Sequence, residues 1–281
     1  MFVVLALASA AFYGAADFLG GIASRRAASS LVVVLSQAAG LVVLALLLPV
    51  LPSSSPAVSD YIWGAASGVA GAAGVALLYR ALAGGTMSIV APITAVCAAA
   101  VPVLAALALG ERPAPQAGAG ILLALVAIAL LSQGAPQPGT QTRRFTSSIV
   151  LAFVAGVAIG LFFLFLARTS DEAGLWPLIA GRAVSVPLFG VVIAAGGSRV
   201  RPGSAAVGIA AACGALDMLA NALFLIATRY GPLSLVATLA SLYPASTVVL
   251  ARATLGERLT GSQALGVVCA LAAVVLIVDP G

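Results

Sequence analysis

Leu109-Gly110-Glu111-Arg112 closes one long apolar segment, and Leu255-Gly256-Glu257-Arg258 closes another. Gly110 and Gly256 set the offset between them at 146 residues, about half of the 281-residue chain. The same offset brings Ala76-Leu77 onto Ala222-Leu223, and Ser88, Val90 and Ala91 onto Ser234, Val236 and Ala237. It also brings Gly120 onto Gly266 and Gly14 onto Gly160. A fixed offset held over this distance is an internal repeat, the feature that most restricts architecture. The chain reads as two copies of one unit, with its function between them.

Each unit is built for lipid. Charged residues are 7% and hydrophobic residues 62% of the sequence, whereas a soluble domain carries about 25% charged residues. So few charges leave no water-facing surface, and the chain is expected to be a multi-pass protein of the cell membrane. Met1 to Ala10 ends in Ala8-Ser9-Ala10, but no basic residue precedes it and the apolar run continues to Ile22. That is a first membrane helix rather than a cleaved leader.

A spanning helix takes about 20 apolar residues. Cutting at Pro/Ser/Gly clusters and charges predicts ten spans, at 2–23, 31–50, 60–82, 86–109, 115–132, 148–167, 174–195, 204–228, 232–253 and 261–278. The polar stretch 136–147 is a linker between a first five-helix repeat, 1–135, and a second, 148–281. Five is odd, so the second copy enters the bilayer from the opposite side. The expected fold is an all-α integral membrane protein, ten transmembrane helices as two inverted five-helix repeats. Trp63-Gly64-Ala65-Ala66-Ser67-Gly68, continuing to Gly71 and Gly74, predicts a close helix–helix contact. Pro92, Pro102, Pro187 and Pro244 are expected to interrupt spans.

All 13 basic residues are arginines, scattered between apolar runs rather than clustered for nucleic acid. Arg25, Arg26, Arg80, Arg143, Arg144, Arg199, Arg201, Arg252 and Arg258 fall at odd-numbered loops, and Arg112, Arg168 and Arg229 at even ones. By the positive-inside rule the odd loops are cytoplasmic and both termini lie outside.

With neither His nor Lys, no Gly-x-Ser-x-Gly and no paired carboxylates at metal-binding spacing, the sequence argues against an enzyme. No cofactor and no metal are expected. Cys97, Cys213 and Cys269 lie singly in apolar runs and suit neither a disulfide framework nor zinc.

Charges inside spans are costly and usually functional or paired. Asp217 falls near the middle of the eighth span, with Asn221, the sole Asn, at i+4 on the same face. Arg182 lies well inside the seventh span. Asp17 lies in the later half of the first, with Tyr13 at i−4. Two roles stand open for Arg182 and Asp217. They face a central cavity, where Arg182 holds a substrate carboxylate and Asp217 couples protons, or they form a structural pair locking two helices. Asp17 is read either as part of that cavity or as reaching interfacial water. Gln37, Tyr79 and Tyr243, with Trp63 and Trp176, are further candidates to line it. Glu111 and Glu257 are read as structural turns, each receiving amides of the helix that follows.

Ser88 to Arg112 and Ser234 to Arg258 each run from Ser-(Ile/Leu)-Val-Ala through a proline-containing span to Leu-Gly-Glu-Arg. In this the sequence resembles the EamA group of the drug/metabolite transporter superfamily. Ser241-Leu242-Tyr243-Pro244 fits the same pattern, whereas the first copy has Ala98 where Pro244 has its counterpart. The resemblance implies a carrier that moves amino acids, metabolites or drugs, often outward. It also implies termini in the cytoplasm, the reverse of the arginine argument. The expected activity is secondary transport of a small organic solute, as a monomer or homodimer. The alternative is a lipid flippase or scramblase on the same scaffold, which a lateral opening with a basic patch would favour.

Overall fold

The computed structural model describes residues 1–24, 26–48, 54–84, 87–132, 145–196, 203–255 and 259–278. Among them the elements are helical: α1 (Phe2–Ser24), α2 (Ser29–Leu47), α3 (Val58–Gly84), α4 (Met87–Ala108), α5 (Pro115–Leu131), α6 (Phe145–Ala167), α7 (Trp176–Gly196), α8 (Ser204–Thr228), α9 (Leu233–Ala240), α10 (Tyr243–Leu255) and α11 (Gly261–Val278). Among the described residues eight stretches are long and apolar enough to cross a membrane, with 233–255 counted as one. Two shorter apolar helices, Pro115–Leu131 and Trp176–Val191, stand where the fifth and seventh spans are expected. The predicted linker lies largely outside the described residues.

The ninth span breaks where Pro244 is expected to interrupt it. It is two helices, parted at Ser241-Leu242. Pro244 has no N–H to give the Ala240 carbonyl, so the ladder stops. The Ala245 amide then donates to Leu242 at 3.0 Å and begins α10. Pro92, Pro102 and Pro187 do not interrupt their spans; all three sit inside continuous helices. The position that breaks the second copy is Ala98 in the first, and α4 runs through it unbroken.

Helix packing carries the symmetry of the repeat. Exchanging the halves maps α1 onto α6, α2 onto α7, α3 onto α8, α4 onto α9–α10 and α5 onto α11. Under that exchange the α1–α8 contact becomes α6–α3, α2–α8 becomes α7–α3, and the packing of α1 on α9 and α10 becomes that of α6 on α4; all are present. The pairs α5–α11, α2–α7 and α4–α9 map onto themselves and mark the axis. At α5–α11 the contacts are reciprocal: Gly120 lies against Leu276 and Ile277, and its mate Gly266 against Leu130 and Leu131. The start of each helix meets the end of the other, so these equivalent helices run antiparallel.

The glycine face of α3 packs as predicted. A Cβ at Gly68 would overlap the carbonyl of Gly181 in α7, and one at Gly74 would press on Ile159 in α6 at 2.6 Å. Small residues bring backbones together, so dispersion rather than solvent exclusion holds these helices. The core is a broad band of Ala, Val, Leu and Phe, including Leu44, Ile128, Met218, Phe224 and Val236.

Candidate functional site

One end of the bundle is tied by carboxylates. The Leu109-Gly110-Glu111-Arg112 turn closes α4 with the Glu111 amide on Ala106 and the Gly110 amide on Leu107, at 3.0 and 3.1 Å. This is a Schellman closure, and it needs the positive φ that Gly110 adopts. The turn aims the Glu111 carboxylate at the other half. It accepts the Leu233 amide at 2.8 Å, the Ser234 amide at 3.0 Å and the Ser234 hydroxyl at 2.6 Å. Glu111 therefore caps α9, not the following helix α5 as the sequence suggested. Helix α5 begins with Pro115 at its first turn and has no side-chain cap. Glu257 lies outside the described residues.

A second carboxylate ties the same end. Asp60, 1% exposed, accepts the Ala57 amide at 2.8 Å, and the Ser170 amide and hydroxyl at 2.7 and 2.8 Å. Arg229, at the end of α8, donates to the carbonyl and the hydroxyl of Thr169 and lies 3.5 Å from Asp171. Burial lowers the pKa of Arg229, and Asp171 and Asp60 oppose that shift. Phe2 packs under Gly231 at this end as well. Sequence reasoning missed Asp60, Ser170 and Arg229 as a set. The available signal was a carboxylate entering the first turn of a long span, the helix N-terminus it favours.

Between the halves lies a polar cluster in apolar surroundings. Helix α7 supplies Arg182, which donates to the Asp217 carboxylate on α8; their side chains are 12% and 35% exposed. Asn221 is one turn on. Its amide donates to the Asp217 carbonyl at 2.7 Å, and its oxygen accepts the Tyr13 hydroxyl at 2.9 Å. The Tyr13 ring meets Phe163 edge-on at 5.9 Å and tilts against Tyr243 at 6.2 Å. Tyr243 is the first residue of α10, so the break in the ninth span sits beside the cluster. Asp17, one turn beyond Tyr13, is exposed and within electrostatic reach of Asp217 and Tyr243.

Behind Arg182 is a cavity of about 40 Å³ lined by Gln37, Ser67, Phe162, Ser185 and Asn221 among others. The Gln37 side-chain oxygen is buried there without a hydrogen-bond partner among the described residues. A polar cavity of this size suits water rather than an organic solute. Six of the predicted residues, Tyr13, Asp17, Arg182, Asp217, Asn221 and Tyr243, are thus gathered, and Gln37 adjoins them. Tyr79 lies in α3, its side chain outside the described residues. Trp63 and Trp176 are not in the cluster. Trp63 packs on Phe165 at 5.5 Å with Arg168 over its ring, and Trp176 packs on Tyr61 at 6.1 Å.

The sequence profile of the EamA-like transporter family matches residues 1–133 and again 146–279. A solved crystal structure titled only as that of a protein superposes with a TM-score of 0.78 at 17% sequence identity, covering 98% of this chain and 95% of the other. That likeness concerns the fold. No curated protein matches the chain in sequence.

Proposed function

The chain belongs to the EamA-like transporter family, and from that premise we propose a ten-span secondary carrier of the cell membrane that moves a small organic solute between its inverted halves. The units divide at the 136–147 linker. The antiparallel crossing of α5 and α11 supports the inversion, since equivalent spans that run oppositely enter from opposite faces. The odd, arginine-rich loops are assigned to the cytoplasm.

The observation that carries this reading is the Arg182–Asp217 pair, set with Tyr13, Asn221 and Tyr243 at the contact of the two halves. Ionised groups inside a bilayer are rare and face pathways, and a broken helix beside them is the usual form of a carrier's site. The end that holds Glu111, Asp60 and Arg229 is shut by hydrogen bonds, while Asp17 is open on the other side. This is one end-state of alternating access. Protonation of Asp217 releases Arg182, and transfer of that proton couples transport to a gradient.

The lipid-moving alternative fares worse. An apolar groove of about 540 Å³ does lie along α1, α10 and α11, but no charged residue lines it, so it has no seat for a headgroup.

Asp217→Asn in proteoliposomes tests the coupling. The expected result is loss of pH-gradient-driven uptake with solute exchange retained. Unchanged pH dependence would remove Asp217 from the coupling step.

A further inference from the structure

Asp17 is the charge that the ion-pair switch leaves unused. It has no hydrogen bond or ion pair among the described residues, and it shares a face of α1 with Gly14 and Gly20, which lie against Tyr243, Ser246 and Cys213. Its electrostatic neighbours are Asp217, Tyr13, Tyr243 and Cys213, and Tyr13, on the same face of α1, points into the bundle. Its exposed side therefore lies beyond the central cluster, toward the end of the bundle where α1 finishes.

The scaffold does not ask for a carboxylate at this position. At the repeat offset of 146 residues Asp17 becomes Phe163, which is 7% exposed and packed against Phe162, Phe224 and Tyr13. Tyr13 likewise becomes Ile159 and Tyr243 becomes Cys97. The second copy fills the slot with apolar packing. The first places a carboxylate there with two phenol rings below it.

Charge and ring chemistry together select a ligand. Arg182 is committed to Asp217, so the Asp17 carboxylate is left without a basic partner. An unpaired carboxylate in such surroundings is costly, and a cation relieves it. Aromatic faces attract organic ammonium groups as well. A metal ion is disfavoured, because no group of three His, Cys, Asp or Glu occurs among the described residues. Resting on the carrier reading, we propose that Asp17, with the Tyr13 and Tyr243 rings, receives the cationic head of an organic cation, which enters from the end of the bundle where α1 finishes.

The test uses the purified full-length chain and four probes: phenethylamine, tetraphenylphosphonium, the zwitterion phenylalanine and the anion 3-phenylpropionate. At least one of the two cations is expected to raise the unfolding temperature most. Its affinity should fall about tenfold or more in Asp17→Asn and stay within about threefold in Asp17→Glu. Without ligand, Asp17→Glu should unfold near the wild-type temperature and Asp17→Asn at or above it, since Asp17 has no partner to lose and Asn removes an unpaired charge. Equal stabilisation by phenylalanine or 3-phenylpropionate, undiminished cation binding in Asp17→Asn, or no stabilisation by either cation would each overturn the cation assignment while leaving the carrier reading in place. Absence of counterflow in proteoliposomes for every solute tried would overturn the carrier reading itself, and this proposal with it.

Discussion

Glu111 ends α4 and begins α9, a helix 122 residues further along the chain. Its neighbours explain the motif: Gly110 supplies the positive φ, Glu111 supplies the cap, and Arg112 braces the turn by donating to the Leu107 and Glu111 carbonyls at 3.0 Å. Glu111→Ala strips the cap and is expected to cost about 1–2 kcal/mol, the usual size of a lost N-cap. Ser234→Ala alone should cost less, and the double variant should be far from additive, because both changes remove the same contact. Chemical unfolding of the four proteins in detergent checks this; additive losses would mean that the two side chains act independently. The turn itself was legible in the sequence. Its partner was not, because nothing local specifies which of the spans lies opposite a loop. The same limit hid Asp60: its first-turn position is readable, but Ser170 and Arg229 come to it only through packing. Arg182, Asp217 and Tyr13 were easier. A charge or phenol inside an apolar span has few places to go, and the space between the halves is the least costly.

At the level of elements, apolar length sets existence and local chemistry sets the breaks. Span ends differ from those expected by at most three residues, but the parting of α9 from α10 has a named cause in Pro244. Proline alone does not decide the matter, since Pro92 and Pro102 are carried within α4. Neighbouring helices satisfy the carbonyls that proline frees in a membrane segment, and such tertiary effects have no signature in one sequence. The glycine run of α3 was the clearest element-scale signal. Gly68→Leu is expected to abolish recovery of monodisperse protein, because the side chain would have to displace the backbone of α7 at Gly181. Gly118→Leu, on α5 where a Cβ meets nothing within 4 Å, should purify like the parent. Size-exclusion chromatography of the two distinguishes a specific crossing from a general intolerance of bulk; equal recovery would show that α3 and α7 do not approach so closely.

The whole molecule is a symmetric frame holding an asymmetric site. Contacts exchange across the axis, yet Asp17, Arg182 and Asp217 map onto Phe163, Ser36 and Gly71. The repeat thus gives the two halves nearly equivalent packings, and on the carrier reading proposed above one set of polar side chains serves both end-states of alternating access. The proposed five spans per unit make the inversion testable without any substrate. In a variant with Cys97, Cys213 and Cys269 replaced by Ala, single cysteines at 112 and 258 report on the two Gly-Glu-Arg turns. If the units are inverted, an impermeant maleimide applied to whole cells labels one position, and the other reacts only after the membrane is opened. The arginine distribution further specifies that position 112 is the one reached from outside. Labelling of both from one side would mean an even number of crossings between them. The units would then be parallel, the antiparallel crossing of α5 and α11 would not hold, and no exchange of equivalent packings could carry a solute across. Labelling of 258 alone from outside would keep the inversion and reverse the orientation, placing the end closed by Glu111 and Asp60 in the cytoplasm and the Asp17 end outside.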